Sequence, residues 1–180
     1  MSEQTRPPSR SLVWTVWALA AFVWLAGHIA HCLGLTINLT ASMPFWIWRF
    51  QLPTEPLQRG QVVLFCPPDN AALRAARVRG YLGYGPCPGG YDRLLKQVMA
   101  IGGDTVGVND AGLTVNGEPV PGTARLPADA GGRPIAAIPP GTAVLPAGLF
   151  WAGSNYNPRS FDSRYFGPVS AASVLGVARH

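Results

Sequence analysis

Three short segments carry residue types that together could break a peptide bond. In NLTASMPFWIWRF (38–50), Ser42 stands before Met43-Pro44 and an apolar aromatic run. In RLLKQVMAIGGDTV (93–106), one lysine, Lys96, interrupts an apolar strand pattern that ends in a Gly-Gly-Asp turn. Lysine is rarely buried in such a setting unless it is paired or functional. The third segment, GSNYNPRSFDSRYFGPV (153–169), is dense in Ser, Asn and Arg between apolar runs. Each has a plain alternative when taken alone: a serine before a proline is commonly a turn, a strand lysine can face solvent from an edge, and a polar stretch can be a structured loop.

The chemistry they permit is nucleophilic. A serine hydroxyl attacks a carbonyl only with a base in hydrogen-bonding reach. Of the histidines, His28 and His31 lie in an apolar run and His180 is the last residue, so a Ser-His-Asp arrangement is nearly excluded and lysine must replace it. To accept a proton near neutrality Lys96 has to be uncharged, which requires desolvation to depress its pKa from about 10.4. On a strand, Leu94 and Val98 share its face and Leu95 and Met99 lie opposite. The tetrahedral oxyanion needs preorganised donors, each worth roughly 3 kcal/mol.

The elements that must position these residues begin with a membrane span. Between Arg10 and Arg49 there is no Asp, Glu, Lys or Arg, and residues 12–33 form an apolar run. That run is about long enough to cross a hydrocarbon core of roughly 30 Å. Arg6 and Arg10 flank its start, so the positive-inside rule keeps residues 1–11 in the cytoplasm and exports residues 34–180 as one domain. A cleaved secretory signal also has a basic start and an apolar middle, but this run is long for one. A lipoprotein signal ending at Cys32 is opposed by the bulky His31 before it. The chain carries a net charge of +5 with its basic residues dispersed rather than clustered, which argues against nucleic-acid binding.

Beyond the span, Gly and Pro recur every few residues and the runs between them are strand-sized. Segments 61–65, 94–101, 105–108, 113–120 and 149–153 are rich in Val, Leu, Ile and aromatics. Asn116-Gly117 within the fourth is a strong hairpin signal. The fold class expected is mainly β, an antiparallel catalytic domain after a single transmembrane helix, with one further helix over 71–82 as a solvated surface element. Cys66 and Cys87 both fall in the exported part and are expected to pair. Closing a loop of about twenty residues stabilises by roughly 3 kcal/mol in the chain-entropy model. The Cys and His spacing of a zinc site is absent, and neither a metal nor any other cofactor is expected. Phe45, Trp46 and Trp48, with Arg49 beside them, suit a surface in the lipid headgroup zone, where Trp and Arg are favoured, and equally suit ordinary packing.

Ser42-Met43-Pro44, the Lys96 strand ending in Gly103-Asp104, and Ser160-Phe161-Asp162-Ser163-Arg164, in that order after an anchor, resemble the type I signal peptidase family. The likeness covers most of the chain from about Thr36 onward. The form SFDSRYFGPV, with CPP and CPGG nearby, is most similar to its conjugative-transfer, TraF-type branch. The resemblance implies Ser42 as nucleophile and Lys96 as base, with Thr40 and the Ser42 amide as oxyanion hole. It further implies that Ser160 orients Lys96 and that Asp162 and Arg164 fix the last segment. It implies a membrane-anchored endopeptidase of the bacterial inner membrane that cleaves an exported precursor, a conjugative pilin subunit. The acyl-enzyme would be released by water or by the substrate's own amine to give a cyclic product. General members carry Arg after the lysine and Gly-Asp-Asn before the last segment, where this chain has Gln97 and Gly153-Ser154-Asn155. Both charges of an ion pair are lost together, which points to a specialised substrate. The competing reading is a non-enzymatic anchored component of a secretion or pilus machinery. A Ser-Lys enzyme of the peptidoglycan type is opposed by Phe45 at the position where S-x-x-K would need lysine.

Overall fold

A computed structural model of the chain describes residues 9–38, 42–44 and 46–179. The first element, α1 (Arg10–Cys32), has 23 residues. It contains no proline and a single glycine, and its apolar residues face outward all round, with Trp14, Trp17, Phe22 and Trp24 exposed. A helix apolar on every side belongs in a membrane or a large core. At 1.5 Å per residue it spans about 34 Å, sufficient for a bilayer. The helix is long and apolar enough to cross a membrane and none of its apolar span is buried against the rest of the described chain.

The rest is two antiparallel sheets. The strands run β1 (Leu35–Ile37), β2 (Ile47–Gln51), β3 (Val62–Phe65), then helix α2 (Ala71–Val78), β4 (Tyr84–Cys87), β5 (Leu94–Ile101), β6 (Thr105–Asn109), β7 (Gly112–Val115), β8 (Glu118–Val120), β9 (Gly141–Val144) and β10 (Leu149–Gly153). A short helix α3 (Ser163–Phe166), β11 (Val169–Ser170) and β12 (Val174–Arg179) complete the chain. The larger sheet has the order β1-β2-β12-β3-β5-β10-β11 and the smaller β8-β7-β6-β9.

Period-two alternation distributes the apolar residues of the larger sheet to both of its faces. On β3, Val63 and Phe65 join Val98, Phe150 and Val177 on one side, while Val62 and Leu64 meet Met43, Trp48 and Leu95 on the other. A strand buried on both faces reads as a continuous apolar run, as VVLF does. Met99, Ala100 and Trp151, near the β5–β10 end, pack instead on Val106, Val108, Leu113 and Val115 of the smaller sheet.

The hairpin between β7 and β8 turns at Asn116 (φ 53°) and Gly117 (φ 87°), the left-handed pair that Asn-Gly supplies at little cost. Helix α2 begins at Asn70, whose Oδ1 accepts the Leu73 N–H at 3.1 Å. It stops a turn before the expected Leu82 because Gly80 takes a left-handed conformation (φ 77°). Leu73 and Ala76 face inward. Cys66, just after β3, is disulfide-bonded to Cys87 at the end of β4, with the two Cα atoms 5.3 Å apart.

Candidate active site

Lys96 sits in the interior of the larger sheet. On β5 it pairs with Val63 of β3, between Leu95↔Leu64 and Gln97↔Val62. Only 3% of it is exposed. The neighbours on its own face, Leu94 and Val98, belong to the principal core cluster, so the amine has apolar bulk where alternation places it. Burial pushes its pKa down to about 8. The negative charge of Asp162 pulls upward against this, and the Arg164 guanidinium adds to the lowering.

Asp162 and Arg164 form a buried, extensively hydrogen-bonded pair. Asp162 caps α3 by accepting the Arg164 N–H at 3.2 Å. Its oxygens also take the guanidinium, Nε at 2.8 Å and Nη2 at 2.8 Å. Arg164 donates further to the carbonyls of Ala124 at 2.8 Å and Ser160 at 3.0 Å. Leaving either partner alone in so dry a place would be costly, and here neither is alone. The pair locks the 160–164 segment against β10, where the Ser163 hydroxyl accepts the Ala152 N–H at 3.0 Å. The Ser160 hydroxyl is different: it is buried and makes no hydrogen bond among the described residues, so the expected orienting bond to Lys96 is not formed in this structure.

Ser42 follows β1 and is half-buried, with Met43 beside it anchored against Trp48, Val62, Leu64 and Leu95. Its main-chain carbonyl accepts the Ser154 hydroxyl at 2.7 Å. Ser42, Lys96 and Ser160 line one cleft of about 460 Å3, whose other walls include Leu94, Asn157, Phe161 and Tyr165 and, farther along, Tyr81, Asp92 and Asp129. Tyr81 donates to Asp129, which also takes Arg133 at 2.7 Å, clasping the 129–133 turn to the α2 side of the cleft. The Tyr81 bond comes first among the contacts that hold the Asp129 carboxyl well below the usual range; burial opposes it, and the Arg133 and Gly131 bonds add to the lowering.

Two expected site residues, Thr40 and Phe45, lie outside the described residues. The aromatic pair that remains divides between two environments. Trp46 is 77% exposed, but Trp48 is 6% exposed, because strand alternation turns it into the core with Met43 and Leu95. Trp48 is therefore a packing residue and is removed from the set expected to touch lipid. The sequence marks Ser154 only as a departure from the Gly-Asp-Asn of general signal peptidases, with nothing to show that it contacts Ser42. Its hydrogen bond to Ser42 bridges a sequence separation of 112. Among the described residues no cluster of three or more His, Cys, Asp and Glu could hold a metal.

Known proteins resemble this chain over most of its length. The family model described as signal peptidase, peptidase S26, matches residues 10–180. A probable conjugal transfer protein TraF of Sinorhizobium fredii is 42% identical over 146 residues, 81% of this chain and 76% of that protein. A plasmid transfer protein TraF of Escherichia coli is 38% identical over 160 residues, 88% of each chain. A crystal structure of a signal peptidase I from Enterococcus faecalis aligns with a TM-score of 0.39 at 23% identity, over 68% of this chain and 97% of that one, too distant a likeness to bear on the site.

Proposed function

This chain belongs to the signal peptidase family, peptidase S26, as a serine-type peptidase of the conjugal-transfer kind, and from that premise we propose that it cleaves an exported precursor with Ser42 as nucleophile and Lys96 as general base. The observation that supports this most is a lysine only 3% exposed, with its pKa pushed down to about 8, sharing a cleft with half-buried Ser42. Burial thus brings the neutral amine within reach near neutral pH, and substrate covering the cleft removes more water and favours it further.

The reaction runs in two halves. Ser42 Oγ bonds to the scissile carbonyl carbon as its proton passes to Lys96 Nζ, and the oxyanion is met by the Ser42 amide and the Thr40 side chain. Collapse breaks the C–N bond, with Lys96 returning the proton to the leaving amine. Water then attacks the Ser42 ester with Lys96 again as base, regenerating the serine. An amine of the bound substrate in place of that water would give a cyclic product by the same proton transfers. The unpartnered Ser160 hydroxyl is the group on hand to orient the Lys96 amine when the cleft fills. The Asp162–Arg164 pair holds Ser160 by its carbonyl.

The N-terminal apolar helix fits a single-pass membrane anchor. Arg6 and Arg10 support an orientation with the N-terminus in the cytoplasm and the catalytic domain in the periplasm. Exposed Trp46 would then rest in the headgroup zone, where its amphipathic ring is favoured, with the exposed apolar Ile47 beside it. The substrate proposed is a conjugative pilin subunit, supported by the relatives' role in conjugal transfer. Mass spectrometry of the candidate pilin, co-expressed with the wild type and with Ser42→Ala, tests this. Processing by the wild type alone is expected, and a product lighter by one water than the linear fragment identifies cyclisation. Identical pilin masses in both strains would reject the substrate.

A further inference from the structure

We infer that Ser154 is a positioning residue for the nucleophile, its hydroxyl holding the Ser42 main-chain carbonyl so that the Ser42 side chain stands correctly toward Lys96. The inference rests on the Ser42–Lys96 reading above. Ser154 is 1% exposed. Its Oγ donates to the Ser42 carbonyl at 2.7 Å and accepts the backbone N–H groups of Tyr156 at 3.3 Å and Asn157 at 3.2 Å. A hydroxyl has one proton and two lone pairs. Both acceptor positions are taken by amide donors, so the proton is directed to Ser42 and the hydroxyl cannot rotate away without losing bonds that its burial leaves no ready means to replace.

The same residue is tied to the base's surroundings. Its N–H donates to Asp162 Oδ2 at 3.3 Å, and Asp162 is, with Arg164, one of the two charges of the 160–164 segment that act on Lys96. Gly153, just before it, pairs with Gln97, the neighbour of Lys96 on β5. Ser42 by contrast lies in a short connection between β1 and β2, closed at its base by Asn38 N–H to the Trp46 carbonyl at 2.6 Å. Ser154 is thus a direct bond from the nucleophile's main chain to the rigid frame that carries Lys96. Loss of such a bond allows the Ser42 peptide to rotate, and a displacement of about 1 Å at a reacting atom costs on the order of 100-fold in rate. If the hydroxyl served only the local turn to Tyr156 and Asn157, its loss would lower stability and leave the chemistry alone.

The test uses the full chain in detergent and an internally quenched peptide with Ala-x-Ala ahead of the scissile bond, the small-residue pattern of exported precursors. Ser154→Ala should lower kcat roughly 10- to 100-fold with KM within about two-fold, the pattern of an interaction that matters in the transition state. The acidic limb of the pH profile should stay in place, because Lys96 keeps its burial. Ser154→Thr, which retains the hydroxyl, should recover most of the loss. Wild-type kcat in Ser154→Ala, or a loss accompanied by a displaced acidic limb, overturns the inference. Should the Ala variant not fold, Ser154→Cys replaces it under the same two criteria, since its thiol is only slightly larger than the hydroxyl and a weaker donor. Activity surviving in Ser42→Ala would instead sink the site reading itself, whereas a dead Ser42→Ala beside a full-speed Ser154→Ala sinks only this inference.

Discussion

The two sheets solve opposite problems with similar strands. In the smaller sheet every device serves order: Asn116-Gly117 makes the tight turn, and Asp104 accepts the Ile101 N–H at 2.9 Å and the Asn116 amide at 2.9 Å. Val106, Val108, Leu113 and Val115 close its core. In the larger sheet the same kind of strand carries a lysine in the interior, and the cleft beside it holds a buried serine hydroxyl without a partner among the described residues. A sequence optimised for stability alone would fill position 96 with an apolar residue. The difference teaches that stability and chemistry are divided between regions, with β5 and β10 joining them.

The largest effect expected is on the site side of this division. Ser42→Ala or Lys96→Ala should each lower kcat by roughly 10^4- to 10^6-fold while the domain stays folded, and the double variant should be no worse, because the pair acts as a unit. Substantial activity in Lys96→Ala, measured on the same quenched peptide, would break the comparison at once. On the other side, Leu113→Ala removes a side chain only 2% exposed. It should cost about 2–5 kcal/mol in urea unfolding, with kcat of the surviving native protein unchanged. A kcat that fell in proportion would show that the smaller sheet shapes the cleft.

A third change sets function directly against stability. Between about 8 and 10.5 the unfolded chain keeps a proton on Lys96 that the native chain has lost, so stability rises with pH across that window and the penalty is full below it. Lys96→Met should therefore stabilise the inactive protein by up to about 3 kcal/mol at pH 7, an advantage that shrinks toward pH 10.5. Unfolding curves that show no pH-dependent gap between the two proteins would mean that the amine is solvated. The smallest effect belongs to Trp46, 77% exposed. Trp46→Ala should leave stability within about 0.5 kcal/mol and reduce activity only when substrate and enzyme share a bilayer; equal loss in detergent would contradict a role at lipid.

Much of this is legible from residue order because local signals and tertiary packing agree. Strands β5 (Leu94–Ile101) and β10 (Leu149–Gly153) fall where their apolar runs lie, since such runs bounded by turn residues leave few alternatives. The smaller sheet's hairpin follows from Asn116-Gly117. Other strands are hidden for physical reasons. In β2, Trp48 and Phe50 alternate with Arg49, but the apolar Ile47 ahead of them is exposed, so the residue types alone do not show which face turns inward. β12 itself is VLGVAR, with Gly176 interrupting the pattern. Of the site, Ser42, Lys96 and Ser160 come together in one cleft, while the Ser154 bond to Ser42 depends on two distant loops meeting and leaves no mark in spacing. The Asp162–Arg164 pair lies in between: its members are visible as residue types, but its enclosure by Ala124 and Ser160 is not.

The central claim is that a buried, largely desolvated Lys96 acts as the base for Ser42, and the acidic limb of kcat/KM reads it most directly, because that limb reports the essential base of the free enzyme. Measured in detergent on the quenched peptide, the rate should rise through a midpoint near pH 8, where the amine loses its proton. A rate that rises only near 10.5, the value of an unburied lysine, or that shows no acidic limb between about 6 and 10, would contradict the assignment of Lys96 as the base.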